Sequence, residues 1–180
     1  MQKPQYDYSF RILLLGKRGV GKSSLIYRFT KGIFSDNFIL TFDNEIKILN
    51  IENKTIIVRL HDIHSGGERF KIMSENVFKN MQGFILTYDI TERDSFNQIE
   101  KWFEEIELKA SSDSRKILVG SKCDKNLERK VSKEEGKNLA DKFNMNFFEI
   151  SAKTGYNVNE AIENLIKDIF ESNKQNNLKK

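Results

Sequence analysis

Residues Gly16 to Ser24, GKRGVGKSS, set three glycines, three basic residues and two adjacent hydroxyls directly after the apolar run FRILLL. The stretch fits GxxxxGK[ST], with Gly16, Gly21, Lys22 and Ser23 in the required places between a strand signal and a helix signal. Glycines let the chain curl until several backbone N–H groups face one concavity, and the following helix adds its positive end. That cradle, made by Arg18, Gly19, Val20, Gly21, Lys22, Ser23 and Ser24, suits a polyphosphate. Lys22 supplies a point charge for the β and γ phosphates, and the Ser23 hydroxyl suits Mg²⁺ bridging their oxygens. A second group lies in SKCD, residues 121–124, after the run KILVG. A carboxylate such as Asp124 accepts paired hydrogen bonds from N1 and the exocyclic amine of guanine, a pair adenine does not offer. The Lys122 stem suits the face of a purine. SAK, residues 151–153, places the backbone amides of Ser151, Ala152 and Lys153 after another strand signal, where they suit the guanine oxygen.

These groups need a frame that brings distant loops to one edge. Apolar runs recur at YSFRILLLG, GFILTYD, KILVGSK and MNFFEIS, separated by charged segments with helical spacing. The alternation predicts an α/β fold with a doubly wound, mostly parallel sheet covered by helices on both faces. EIKILNIENKTIIVRLHD alternates around the turn candidate ENK and reads as a hairpin carrying an antiparallel edge strand. Helices are predicted over 22–31, 68–80, 95–109, 133–143 and 159–172. Ser132 with Glu135, and Asn157 with Glu160, have capping-box spacing. Val158, Ala161, Ile162, Leu165, Ile166 and Ile169 form one apolar stripe, and Trp102, Phe103 and Ile106 another.

At 180 residues the chain suits a single domain over 1–180, with a core near 7–172 and a flexible tail over 173–180. Hydrophobic residues make up 38%, and no apolar run approaches the ~20 residues that span a bilayer. The first ten residues lack a signal core, and a lone cysteine, Cys123, forms no internal disulfide, which points to the cytoplasm. Thirty Lys and Arg against twenty-six Asp and Glu give +4, with the signs interleaved, so no nucleic-acid partner is implied. The pI near 9.0 favours acidic membrane surfaces weakly.

Taken in order, GKRGVGKS, Asp62 after a strand, ERF at 68–70, YDIT at 88–91, SFNQIEKW ending at Trp102, SKCD and SAK resemble the Ras superfamily of small GTPases, most of all the Rab proteins. The resemblance covers about residues 7–172. It implies a six-stranded G domain acting as a GTP/GDP switch with Mg²⁺, working through effectors and regulators in vesicle trafficking or signalling. By position, Phe34 matches the aromatic packed on the guanine, Thr41 the switch I threonine, and Asp62 the carboxylate that holds the metal through water. Ser23, Thr41 and Asp62 form the implied metal set.

Several departures fall beside the chemistry. DIHSGGE at 62–68 stands where the family usually reads DTAGQ, so the water-orienting glutamine is absent whether Gly66 or Gly67 meets the γ-phosphate. Arg18, His64 and Glu68 are candidate modulators. Arg18 obstructs water or an incoming arginine finger, acts as a finger in cis, or faces solvent. Phe38 replaces a tyrosine, and Ser121 replaces the commoner asparagine, which shortens the reach from the base site to the phosphate loop. FDNEI after Thr41, and His61 before Asp62, differ from Rab norms. Peripheral membrane contact is implied, yet no prenylation cysteine stands near the C-terminus. Slow GTP hydrolysis follows. The alternative is a nucleotide-bound scaffold that does not cycle; an ATP-using P-loop enzyme is disfavoured by Asp124 and SAK.

Overall fold

The computed structural model describes residues 6–35, 44–62 and 75–178. Six strands form one sheet in the order β2-β3-β1-β4-β5-β6. They are β1 (Tyr8–Leu15), β2 (Asn44–Ile51), β3 (Lys54–Asp62), β4 (Gly83–Asp89), β5 (Arg115–Ser121) and β6 (Asn146–Glu149). All neighbouring pairs are parallel except β2 with β3. The expected hairpin is present. Its turn residues Glu52 and Asn53 have φ of 50° and 61°, the two positive values that a two-residue type I′ connection demands. That connection leaves β2 at the sheet edge, and Ile46 and Ile48 on it are exposed.

The helices are α1 (Lys22–Lys31), α2 (Glu75–Lys79), α3 (Arg93–Asn97), α4 (Ile99–Lys109), α5 (Lys133–Lys142) and α6 (Val158–Leu178), with a 3-10 turn over Cys123–Glu128. Alternation along β1 divides the core. Ile12 and Leu14 face α1 and α6, where they meet Leu25, Phe29, Ile162 and Ile166. Leu13 and Leu15 face the other layer, with Phe78, Ile99, Trp102 and Ile106. Both predicted apolar stripes are therefore core faces, and Phe103, partly buried, stacks on Phe143 at 4.1 Å between ring centroids.

Two of the expected helices differ from the sequence reading. The helix expected over 95–109 starts earlier and is divided at Gln98. Ser95 explains the start: its buried hydroxyl accepts from the Asp89 N–H at 3.0 Å and donates to the Glu92 carbonyl at 2.7 Å, tying the first turn to the end of β4. The last helix runs past Ser172 to Leu178. Lys174 there reaches Glu52 on the hairpin turn at 2.6 Å, and the Asn173 amide donates to the Ile169 carbonyl at 2.9 Å, so polar residues read as a tail find partners. Of the helix expected over 68–80, Glu75–Lys79 is seen, and 68–74 lies outside the described residues. The Ser132 and Glu135 capping box forms as expected. Asn157, at φ 55°, accepts the Ala161 N–H with its carbonyl and ties its side-chain amide to the Glu149 carbonyl at 3.1 Å.

Candidate functional site

Parallel pairing decides which loops meet. Register sets Leu14 beside Asp62 and Asp89 beside Ser121, and places Gly120 beside Glu149, so the C-terminal ends of β1, β3, β4, β5 and β6 share one edge. Neighbouring β3 and β4 leave β1 on opposite sides, which makes its C-terminal end the switch point where such sheets receive ligands.

The loop leaving β1 passes so close to β4 that only glycine fits at 16. Its φ is +145°, and a Cβ there would stand 2.1 Å from the Thr87 carbonyl oxygen. At the other end of the loop the Gly21 carbonyl accepts the Leu25 N–H at 2.9 Å, the first bond of α1. Lys22 is 5% exposed and curls back to donate from Nζ to the Gly16 carbonyl at 2.9 Å and the Lys17 carbonyl at 3.1 Å. Burial pushes its ammonium pKa down, and the nearby Asp62 charge partly opposes this. A buried ammonium is held here by neutral carbonyls, which are weaker partners for it than an anionic oxygen. Lys17 pairs with Glu92, which fastens the loop from the β4 side. Arg18 is exposed at the rim of the loop.

Beneath the loop, the Ser23 hydroxyl donates to Asp62 Oδ2. Asp62 is 6% exposed, and its buried Oδ1 has no hydrogen-bond partner among the described residues. A buried carboxylate oxygen without a partner is costly unless a cation or donor completes it. A hydroxyl and a carboxylate are hard oxygen donors that fit Mg²⁺, which takes its remaining ligands from water and phosphate. Thr41, the third member of the expected metal set, lies outside the described residues, as do Phe38, His64, Gly66, Gly67 and Glu68. His61, half-buried at the end of β3, has its pKa lowered by burial first and then by Arg11 and Arg59.

The other end of the site is a pocket of about 260 Å³ lined by Gly21, Phe34, Lys122, Asp124, Ala152 and Lys153 among others. Ser121 reaches further than its length suggests. Its hydroxyl lies 2.6 Å from the Val20 carbonyl and 2.8 Å from the Tyr88 carbonyl, so the tie to the phosphate loop that the shorter side chain was expected to weaken is made directly. Lys122, at φ 61°, sends Nζ to the Gly19 carbonyl at 2.8 Å and to Asp89 at 2.6 Å, laying its stem across the pocket between loop and sheet. Asp124 Oδ1 accepts from the Ser151 hydroxyl at 2.6 Å, which orients the carboxylate. Ser151 also accepts the Thr154 N–H at 3.1 Å, fixing the SAK turn.

Two side chains escape the sequence reading. Asp89 is 4% exposed and holds Lys122 while also accepting from the Thr91 N–H at 2.8 Å. Arg28, on α1, donates to the carbonyls of Ala152 and Lys153. YDIT signalled the first only as part of a resemblance. For the second the partners lie 124 and 125 residues along the chain, where no local pattern reports them.

Comparison with protein families matches residues 11–171 to the Ras family. The chain belongs to the Ras family. Relatives within it include Rab proteins. The chain is 41% identical over 167 residues to Ras-related protein Rab-8B of Bos taurus, covering 92% of this chain and 80% of the relative. It is 39% identical over 171 residues to GTP-binding protein ypt2 of Schizosaccharomyces pombe, covering 94% and 85%. Ras-related protein RABD2c of Arabidopsis thaliana matches at 41% over 160 residues, covering 88% and 79%. This Rab-like small GTPase has the mostly parallel sheet with one antiparallel edge strand that the sequence predicted. Among the described residues no helix is long and apolar enough to cross a membrane.

Proposed function

We propose that the chain is a guanine-nucleotide switch of the Rab-like type that binds GTP and GDP with Mg²⁺ and hydrolyses GTP slowly, acting in vesicle trafficking or signalling through effector and regulator proteins. The observation that carries the reading is the Asp124 carboxylate. It is oriented by Ser151 at the mouth of a pocket that runs to Gly21 of the phosphate loop. In such a site Asp124 accepts hydrogen bonds from N1–H and the exocyclic amine of guanine, Phe34 and the Lys122 stem flank the ring, and the peptide units of Ala152 and Lys153 meet the oxygen. Lys22 exchanges its backbone carbonyls for phosphate oxygens, and the loop N–H groups bind the rest. When bound beside Ser23 and Asp62, Mg²⁺ would screen the phosphate charge.

Slow hydrolysis rests on the sequence DIHSGGE, where no glutamine orients water. Thr41 and Gly66 or Gly67 would hold the γ-phosphate and order the loops that partners read. Exposed Arg18 at the loop rim is then available to modulate water or an incoming arginine. The same missing glutamine supports a second reading, a nucleotide-bound scaffold that does not cycle. The test has two steps. Denatured purified protein is assayed for the base it retained, and single-turnover hydrolysis of γ-labelled GTP is followed with and without Mg²⁺. Retained GDP or GTP with slow, Mg²⁺-dependent turnover is expected. No guanine nucleotide uptake removes the reading. A rate equal to that of ordinary Rab proteins removes the slowness, and partner affinity indifferent to GTP or GDP selects the scaffold.

A further inference from the structure

Arg28 stands outside every motif read from the sequence, yet each of its guanidinium nitrogens donates to a different carbonyl. Nε reaches Ala152 at 2.6 Å, Nη2 reaches Lys153 at 2.7 Å, and Nη1 reaches Gly32 at 2.8 Å. The first two carbonyls belong to the loop that carries Ser151, and the third belongs to Gly32, the C-cap residue of α1, where the chain turns toward Phe34. Ala152, Lys153 and Phe34 all line the pocket that Asp124 faces. A planar fork fixes its acceptors relative to one another, and because peptide units are planar, a pinned carbonyl also orients the N–H of the same unit.

A basic residue in the last turn of a helix ordinarily answers the dipole and the last free carbonyls. The bond to Gly32 fits that role. The bonds to Ala152 and Lys153 do not, because they cross to a loop on the far strand β6, and any cation would satisfy the helix end alone. We propose that Arg28 is a positioning residue for purine recognition: it locks the 151–153 loop and the Phe34 segment in register with the helix of the phosphate loop. The inference rests on the guanine-nucleotide reading above. Base contacts depend on the lock, whereas phosphate contacts, made by the loop and Lys22, do not.

The test uses the full chain and compares GDP with ADP, which share phosphates and ribose and differ in the base. Affinities come from competition against a fluorescent GDP, for wild type, Arg28→Gln and Arg28→Lys, beside their melting temperatures. Arg28→Lys keeps the charge at the helix end but cannot span three carbonyls, so it decides the matter should Arg28→Gln fail to fold. The expected result is GDP affinity lowered about tenfold or more in both variants, with ADP within about twofold, so that the GDP-to-ADP ratio narrows. A ratio unchanged in Arg28→Lys, whether both affinities fall together or neither moves, overturns the positioning role and leaves the guanine reading standing. A wild type that does not prefer GDP to ADP overturns both.

Discussion

Ser121→Ala isolates the tie between the two ends of the site. The change removes a hydroxyl from a residue 3% exposed, 2.6 Å from the Val20 carbonyl and 2.8 Å from that of Tyr88. One hydroxyl carries one proton, so the two carbonyls share a single donor and the variant loses one bond, not two. Leaving a buried acceptor short of its donor costs about 1–3 kcal/mol. For a chain of this size each kcal/mol lowers the melting temperature by about 2–4 °C. The bond exists before any nucleotide arrives, so most of the loss falls on the fold, and GDP release quickens by less than about tenfold. Urea unfolding and fluorescent-GDP chase of wild type, Ser121→Ala and Ser121→Thr provide the assay, the threonine keeping the hydroxyl. If Ser121→Ala unfolds within about 0.5 kcal/mol of wild type, the hydroxyl does not join strand and loop, and the reasoning fails.

Gly16→Ala sets a Cβ 2.1 Å from the Thr87 carbonyl at a φ of +145°, whereas Gly19→Ala at +85° meets nothing within 4 Å. The first should cost roughly 2–6 kcal/mol and abolish GDP binding, the second about 1–2 kcal/mol, by urea unfolding and titration. Gly136→Ala gains about 1 kcal/mol of helix propensity but brings a methyl 2.4 Å from the Tyr88 hydroxyl and 2.6 Å from Phe147 Cζ, so net destabilisation is expected and a raised melting temperature contradicts it. Glu135 is held at about 2, first by the Arg93 guanidinium and then by the Ser132 N–H and hydroxyl. A depressed carboxylate stabilises the fold above its ordinary value of 4.5 and loses that contribution as pH falls toward about 2, so the gap between wild type and Glu135→Gln in pH-dependent unfolding should close across that window.

Much of the site was legible because its residues act through short spacings. Gly16, Gly21, Lys22 and Ser23 lie within one loop, so the pattern of types already fixes the local backbone. The same holds for the capping box of Ser132 and Glu135, which needs only three residues of chain. Ser121 was misjudged because side-chain length says nothing about how closely the phosphate loop approaches β5. The helix beyond Ser172 was missed because Lys174 finds Glu52 on a hairpin distant in sequence. Arg28 carried the ordinary signature of a helix-end cation until the loop after β6 was folded against it.

By itself the sequence determined what each segment is and which chemistry its residues suit: alternating strands and helices, a glycine-rich loop of the phosphate-binding pattern, a carboxylate suited to a purine, and a DIHSGGE segment with no glutamine. Tertiary structure decided what those groups touch. Parallel register carried Asp62 beneath Ser23 and left Oδ1 buried without a partner among the described residues, and it brought Ser121 against Val20 and Lys122 against Asp89. Periodicity and local backbone preference act over a few residues and are written in residue order. Distances between strand ends depend on the packing of a core drawn from the whole chain, and no local stretch encodes them.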